Sequence, residues 1–173
     1  MSLTRKSPGG VAAVVFMLCS SATASEAIDN APAERYAGTW QTRLIYLDTP
    51  YSKAHTESTL LRNDCWRSGD FSVCHQHVDG KPSALLVYLR DASAGGFVVY
   101  PIAREGGAVR PAALEVDSDT WTFPWQTGTG EDAIHFRVIN RFRTADEIEF
   151  REEYSHDGMH WSPMASGSEH RVR

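Results

Sequence analysis

No apolar run in this sequence is long enough to cross a bilayer as a helix. Residues 10–18 fall well short of the roughly twenty that a span needs, and no later segment supplies more, so no membrane span is expected. Basic residues are in deficit as well. Lysine and arginine number 17 against 22 aspartates and glutamates, a formal net charge of −5, and no basic cluster interrupts the acidic balance. That argues against nucleic acid and against an anionic lipid surface as partners. Low-complexity tracts and internal repeats are absent. So are a serine or cysteine nucleophile motif, a glycine-rich phosphate loop and the ligand spacing of a metal site. The glycines of "EGGA" at 105–108 and "GTG" at 128–130 read as turns, because no helix signal follows them.

What is present begins with an export signal. Residues 1–24 read as a signal peptide. Arg5 and Lys6 form its basic region, 10–18 its apolar core, and Ala22-Thr23-Ala24 a small-x-small cleavage site. Cys19 makes no lipidation box, since Leu18 precedes it where a small residue is required. Cleavage places the mature start at Ser25 and the protein in the periplasm or outside the cell. The signal carries two positive charges and no negative one, so the mature chain is more acidic still. Residues 25–34 read as a flexible N-terminal lead, and 35–173 as one domain large enough for a single core.

That domain alternates with a period of two. Trp40, Thr42, Leu44 and Tyr46 share one face of an extended segment, with Gln41 and Arg43 opposite. Segments 57–67, 71–78, 83–90, 96–102, 112–116, 119–126, 133–143, 146–156 and 160–171 are rich in β-branched and aromatic residues. Glycine, proline, aspartate or serine bounds them, which predicts strands. The inward set in 133–143 is Ile134, Phe136, Val138, Asn140 and Phe142; in 147–154 it is Ile148, Phe150, Glu152 and Tyr154. Only 32–37 invites a helical turn. Short antiparallel strands in such number must hide their edges. An all-β, up-and-down closed barrel of roughly eight to ten strands does so best, with a sandwich as the alternative.

Three stretches add a resemblance: "YAGTW" at 36–40, "DTWTFPW" at 119–125 and the ending "EEYSHDGMHWSPMASGSEHR". Together they resemble bacterial lipocalin-like (calycin) β-barrel families of uncharacterised function. In those families a Gly-x-Trp opens the barrel, and a late S-x-D-G-x-x-W hairpin, followed by glycine and arginine, closes it. The matching residues are Gly38, Trp40, Ser155, Asp157, Gly158, Trp161, Gly167 and Arg171. The resemblance implies a barrel with an internal cavity and names no ligand. These residues read as architecture: Trp40 as a plug at one end with Arg171 over its ring, and Asp157-Gly158 as a tight turn. His156 and His160 flank that turn, so helical i,i+4 geometry does not apply and no metal is expected.

The densest chemistry lies in "NDCWRSGDFSVCHQH" at 63–77. A two-residue Gly69-Asp70 loop pairs Ser68 with Phe71, Trp66 with Val73 and Cys65 with Cys74. The cysteines fall on a non-hydrogen-bonded pair, where Cα atoms approach to about 4.5 Å, within disulfide range. In an exported protein they oxidise. The register gives one face Leu60, Arg62, Asp64, Trp66, Phe71, Val73, His75 and His77. The other carries Leu61, Asn63, Cys65, Arg67, Ser72, Cys74, Gln76 and Val78. The larger aromatic groups near the turn make the first face the expected interior and the disulfide an outward staple. His75 then sits opposite Asp64 and His77 opposite Arg62. A carboxylate beside an imidazole prepares a general base, and equally makes a satisfied internal pair.

These readings lead to an exported barrel that binds a small, largely apolar molecule. Trp66, Phe71, Val73, Tyr88, Phe136, Phe150 and Tyr154 would line its cavity, while Arg62, Asp64, His75, His77 and Glu152 orient the ligand. One alternative is an acid–base enzyme (isomerase, hydratase or hydrolase) using His75–Asp64 or Glu152. Another is a periplasmic protein-binding module with an exposed apolar patch. No pattern calls for a cofactor. Haem, bound by some related barrels, would need a histidine near a cavity mouth, for which His170 is the nearest candidate. Nothing in the sequence sets the ligand's identity or the oligomeric state.

Overall fold

The alternation becomes ten strands in the computed structural model, which describes residues 32–69, 71–91 and 95–173. A short helix α1 (Pro32–Tyr36) leads into β1 (Gly38–Tyr46), β2 (His55–Ser68), β3 (Phe71–Val78), β4 (Lys81–Asp91) and β5 (Gly96–Ala103). The chain continues through β6 (Ala112–Asp117), β7 (Thr120–Thr127), β8 (Ile134–Phe142), β9 (Glu147–Ser155) and β10 (Ser162–Val172). Every strand pairs antiparallel with its sequence neighbours, and β1 closes onto β10 over Thr39–Val172 to Tyr46–Ala165. The result is the closed up-and-down barrel, in which each strand has a partner on both sides over at least part of its length. The signal at 1–24 and residues 25–31 of the lead lie outside the described residues. Residues 32–34 belong to α1, and Ala33 is buried in the core. Among the described residues, no helix is long and apolar enough to cross a membrane.

Period-two alternation puts one set of side chains inside. Across β8 and β9 the pairs Phe136–Tyr154, Val138–Glu152, Asn140–Phe150 and Phe142–Ile148 share the inner face. Near α1 the interior is solid: Trp40, Leu114, Trp121, Phe142 and Ile148 are all buried. Tyr36 of α1 stacks on Trp40 with ring centroids 5.7 Å apart and meets Phe142 edge-on at 6.4 Å. The Trp40 indole Nε1 donates to the Tyr36 carbonyl at 3.1 Å, so this large ring is buried without orphaning its N–H. Arg171 clamps the cap. Its guanidinium lies 4.2 Å from the Trp40 centroid and donates to the carbonyls of Arg35, Ala37 and Ala145. Gly38 makes room for that clamp, with φ at +109° and a would-be Cβ 2.4 Å from Arg171 Nη1.

The late hairpin is tied in the same local way. The Ser155 hydroxyl accepts from the Gly158 amide at 2.9 Å, and Asp157 Oδ1 accepts from the amides of Met159 and His160, both at 2.8 Å. Those donors hold the Asp157 carboxyl well below the usual carboxylate range. Asp157 Oδ2 also engages His160 Nδ1 at 2.6 Å, which occupies that imidazole and raises its pKa. Trp161 then packs beneath the Arg137 guanidinium, 3.9 Å from the ring centroid.

The β2–β3 hairpin has the expected register, Ser68–Phe71 through Cys65–Cys74 to Arg62–His77, and the disulfide forms. Its faces are the reverse of the expectation. Asn63, Ser72 and Cys74 are buried, whereas Trp66 and Phe71 are each 44% exposed. Arg62, Asp64, Val73, His75 and His77 share the outward face with them, and the disulfide lies against the core rather than as an outward staple. The cause is α1, which touches β2 and β3 and fills the interior there. Beside it only small or polar groups fit, and Asn63 Nδ2 donates to the Tyr36 carbonyl at 3.3 Å. The bulky residues are left outside.

Candidate functional site

The far half of the barrel is built differently. Leu44, Phe123, Val138, Phe150 and Glu152 point inward by register, yet each remains only half-buried. Several other inward positions carry small side chains: Ala84, Ala112, Ala165 and Gly167. Inward-facing apolar groups in a solid core are sealed from solvent. Partial exposure of these five inward side chains, beside the buried Phe136 and Ala165, therefore marks a hollow that opens away from α1.

Aromatic residues surround the opening. Trp125 stacks on Phe136 at 5.4 Å, and Tyr51 meets Phe136 and Tyr154 edge-on at 5.2 and 4.8 Å. Tyr51 comes from the β1–β2 connection, which its own hydrogen bonds hold in place. The Thr49 amide donates to the Ser52 carbonyl at 2.9 Å, and the Ser52 hydroxyl donates to the Leu47 carbonyl at 2.8 Å. On β1 and β2, Tyr46 stacks flat on His55 at 4.4 Å. A shallow cleft of about 330 Å³ continues over the rim, between Trp125, Phe136, His135 and Trp161.

Polar groups stand among these apolar side chains. Burial raises the pKa of Glu152, which projects from β9 beside Ala165. Burial raises Tyr46 too, reinforced by the carboxylates of Glu152 and Glu57. Deeper in, Asn140 faces inward between Trp121 and Phe150, buried to 6% exposure. Its Oδ1 accepts no hydrogen bond from the described residues, and a buried acceptor without a partner is a rarity that asks for a reason.

The candidates chosen from sequence therefore separate. Glu152 and Tyr154 lie at the hollow, with Phe136 and Phe150. Tyr88 points inward but is 4% exposed within the solid core, where burial raises its hydroxyl pKa. Arg62, Asp64, Trp66, Phe71, Val73, His75 and His77 are on the outer surface and line no interior. Asp64 engages Arg62 Nε at 2.9 Å rather than His75, while His75 meets the Trp66 ring edge-on at 5.2 Å. His170 is exposed on β10, opposite Gln41 and Glu147, away from the mouth. Among the described residues, no group of three histidines, cysteines or carboxylates could hold a metal ion. Sequence reasoning missed Tyr51, His55, Trp125 and the Asn140 Oδ1, which accepts no hydrogen bond from the described residues.

No family model matches the chain, and no curated protein does. Among solved structures it is similar to Rv2717c from M. tuberculosis, at 15% identity, covering 83% of this chain and 99% of that one, with a TM-score of 0.44. It is also similar to a redesigned β-barrel, at 11% identity over 82% of this chain and 95% of that one, with a TM-score of 0.37.

Proposed function

We propose that the barrel binds a small, largely apolar molecule carrying one hydrogen-bond donor, held in the half that opens away from α1. The observation that carries this reading is Asn140, whose buried Oδ1 accepts no hydrogen bond from the described residues at the floor of a ring of half-buried apolar side chains. A donor on the ligand would satisfy that acceptor, the ring would take the apolar body, and Glu152 would meet a second polar edge. Ten strands enclose a wider bore than the eight of a lipocalin, which leaves room beside the α1 plug. The resemblance to calycin families supports the same reading. Export to the periplasm or beyond belongs to it, and an oxidised Cys65–Cys74 pair suits such a compartment.

Protein isolated from its own compartment and sprayed under native conditions should carry an extra small mass, released on denaturation and recoverable in organic solvent. A bare polypeptide mass from freshly isolated protein would count against the carrier reading. A retained polypeptide would replace it with a protein-binding one. One observation favours a second reading, an acid–base enzyme on the same scaffold: the raised pKa of Glu152 inside an apolar wall. In that case Glu152→Gln abolishes conversion of the recovered molecule while leaving it bound. Unchanged conversion removes Glu152 from the chemistry.

A further inference from the structure

The outer surface is not uniformly polar. Over β8 and β9 it carries ion pairs, Arg137 to Glu153 at 2.6 Å and Arg143 to Glu149. Over β3, β4 and β5 it is mainly apolar, with His77 of β3 standing 3.8 Å from Asp64 of β2. There the outward rows read Phe71–Leu89–Val98, Val73–Val87–Tyr100 and His75–Leu85–Ile102, with Trp66 alongside. A sheet face in water normally alternates apolar-in with polar-out; this one is apolar on both sides.

The strip ends in a pocket of about 430 Å³, within the range of small-molecule sites. A β-bulge makes it. Register passes from Gln76–Ala84 to His77–Pro82, so Ser83 is extra and β4 bends beside a proline that donates nothing to the ladder. Leu85, Ile102 and Pro82 line the pocket, and Arg104, His75 and His77 form its polar side. The Arg104 side chain makes no ion pair or hydrogen bond with any described residue. His77 Nδ1 is buried without a hydrogen-bond partner among the described residues, because Asp64, drawn to Arg62, stays 3.8 Å away. No carboxylate lines the pocket.

We infer that this pocket is a second site, outside the barrel wall, for single-chain amphipathic anions, with the carboxylate or sulfonate head on Arg104 beside His77 and the apolar body along Leu85, Ile102 and the Val87–Tyr100 row. A free cation at the end of an uncovered apolar strip complements that ligand class and opposes its cationic counterpart. The site does not depend on the reading of the interior.

The test uses dodecanoate below its micelle threshold, titrated into ¹⁵N-labelled protein. The expected result is saturable binding that moves the amides of His75, Gln76, His77, Leu85, Ile102 and Arg104. Arg104→Gln should weaken it about tenfold, the loss of one charge-assisted contact, and Ile102→Ser should weaken it while leaving the spectrum folded. Dodecyltrimethylammonium should bind at least tenfold more weakly. Equal binding of the cation, indifference to Arg104→Gln, or shifts confined to Glu152 and Phe150 would each overturn the inference. So would failure to bind dodecanoate by a protein that sediments with phosphatidylglycerol vesicles, or one that buries this face in a dimer.

Discussion

The reversed hairpin makes a sharp prediction, because a disulfide facing the core and one facing water respond differently to the same substitutions. Cys65 and Cys74 are separated by nine positions, and closing a loop of about ten residues removes about 9 cal/mol/K from the unfolded chain, about 2.7 kcal/mol at 25 °C. A hairpin that persists when unfolded reduces that figure. Losing the packing of the sulfurs adds on the order of 1 kcal/mol, so Cys65→Ala with Cys74→Ala should cost about 3–4 kcal/mol. Cys74 is 1% exposed against the apolar Leu86 and Tyr88 side of β4. A serine there buries a hydroxyl, at a further cost of about 1–3 kcal/mol. With a urea dependence of about 2 kcal/mol/M, the alanine pair should unfold about 1.5–2 M earlier than the parent. The serine pair should unfold about 0.5–1.5 M earlier again, followed by tryptophan fluorescence at neutral pH. If the alanine and serine pairs unfold together, the disulfide faces solvent and the account of this hairpin is wrong.

Gly38→Ala forces a side chain onto a backbone at φ +109° and pushes Arg171 off the cap. It should cost about 1–3 kcal/mol by urea unfolding, and a neutral effect would deny Arg171 its clamp role. Glu169 is buried and accepts from the Tyr36 hydroxyl at 2.5 Å, and burial raises its pKa although that hydrogen bond opposes the rise. The folded carboxyl thus holds its proton at a pH where the unfolded one has lost it. The penalty is absent below the ordinary carboxylate range, grows as pH rises through the raised folded value, and is complete above it. Glu169→Gln should therefore gain stability over the parent as pH rises from about 4 toward neutral. Parallel melting curves across that window would refute the buried-charge argument.

Pairing was legible in the sequence wherever a short loop met a period of two. Gly69-Asp70 and the alternation around it fix Cys65 opposite Cys74 without reference to the rest of the chain. Facing was legible in β8 and β9, where Phe136, Phe142 and Ile148 oppose charged residues on the other side. It was illegible in β2 and β3 because both faces there carry apolar groups. The deciding fact is a long-range one, the docking of α1 against that part of the wall. The hollow was hidden for a related reason. Ala112, Ala165 and Gly167 are unremarkable one by one, and they leave space only because closure brings them around one bore. Tyr51 sits in a connection with no periodicity to read.

If the bore takes a ligand, filling it must abolish binding. Ala112 points into it from β6 and is half-buried, so Ala112→Trp should fill it without disturbing the α1 end. A fluorescence titration with 1-aminoanthracene, an apolar ring system with one amine donor, measures the claim directly. The parent should bind one equivalent with saturation, and the Ala112→Trp variant, folded by circular dichroism, should lose that binding. Absence of saturable binding in the parent, or equal binding by the filled variant, would contradict it.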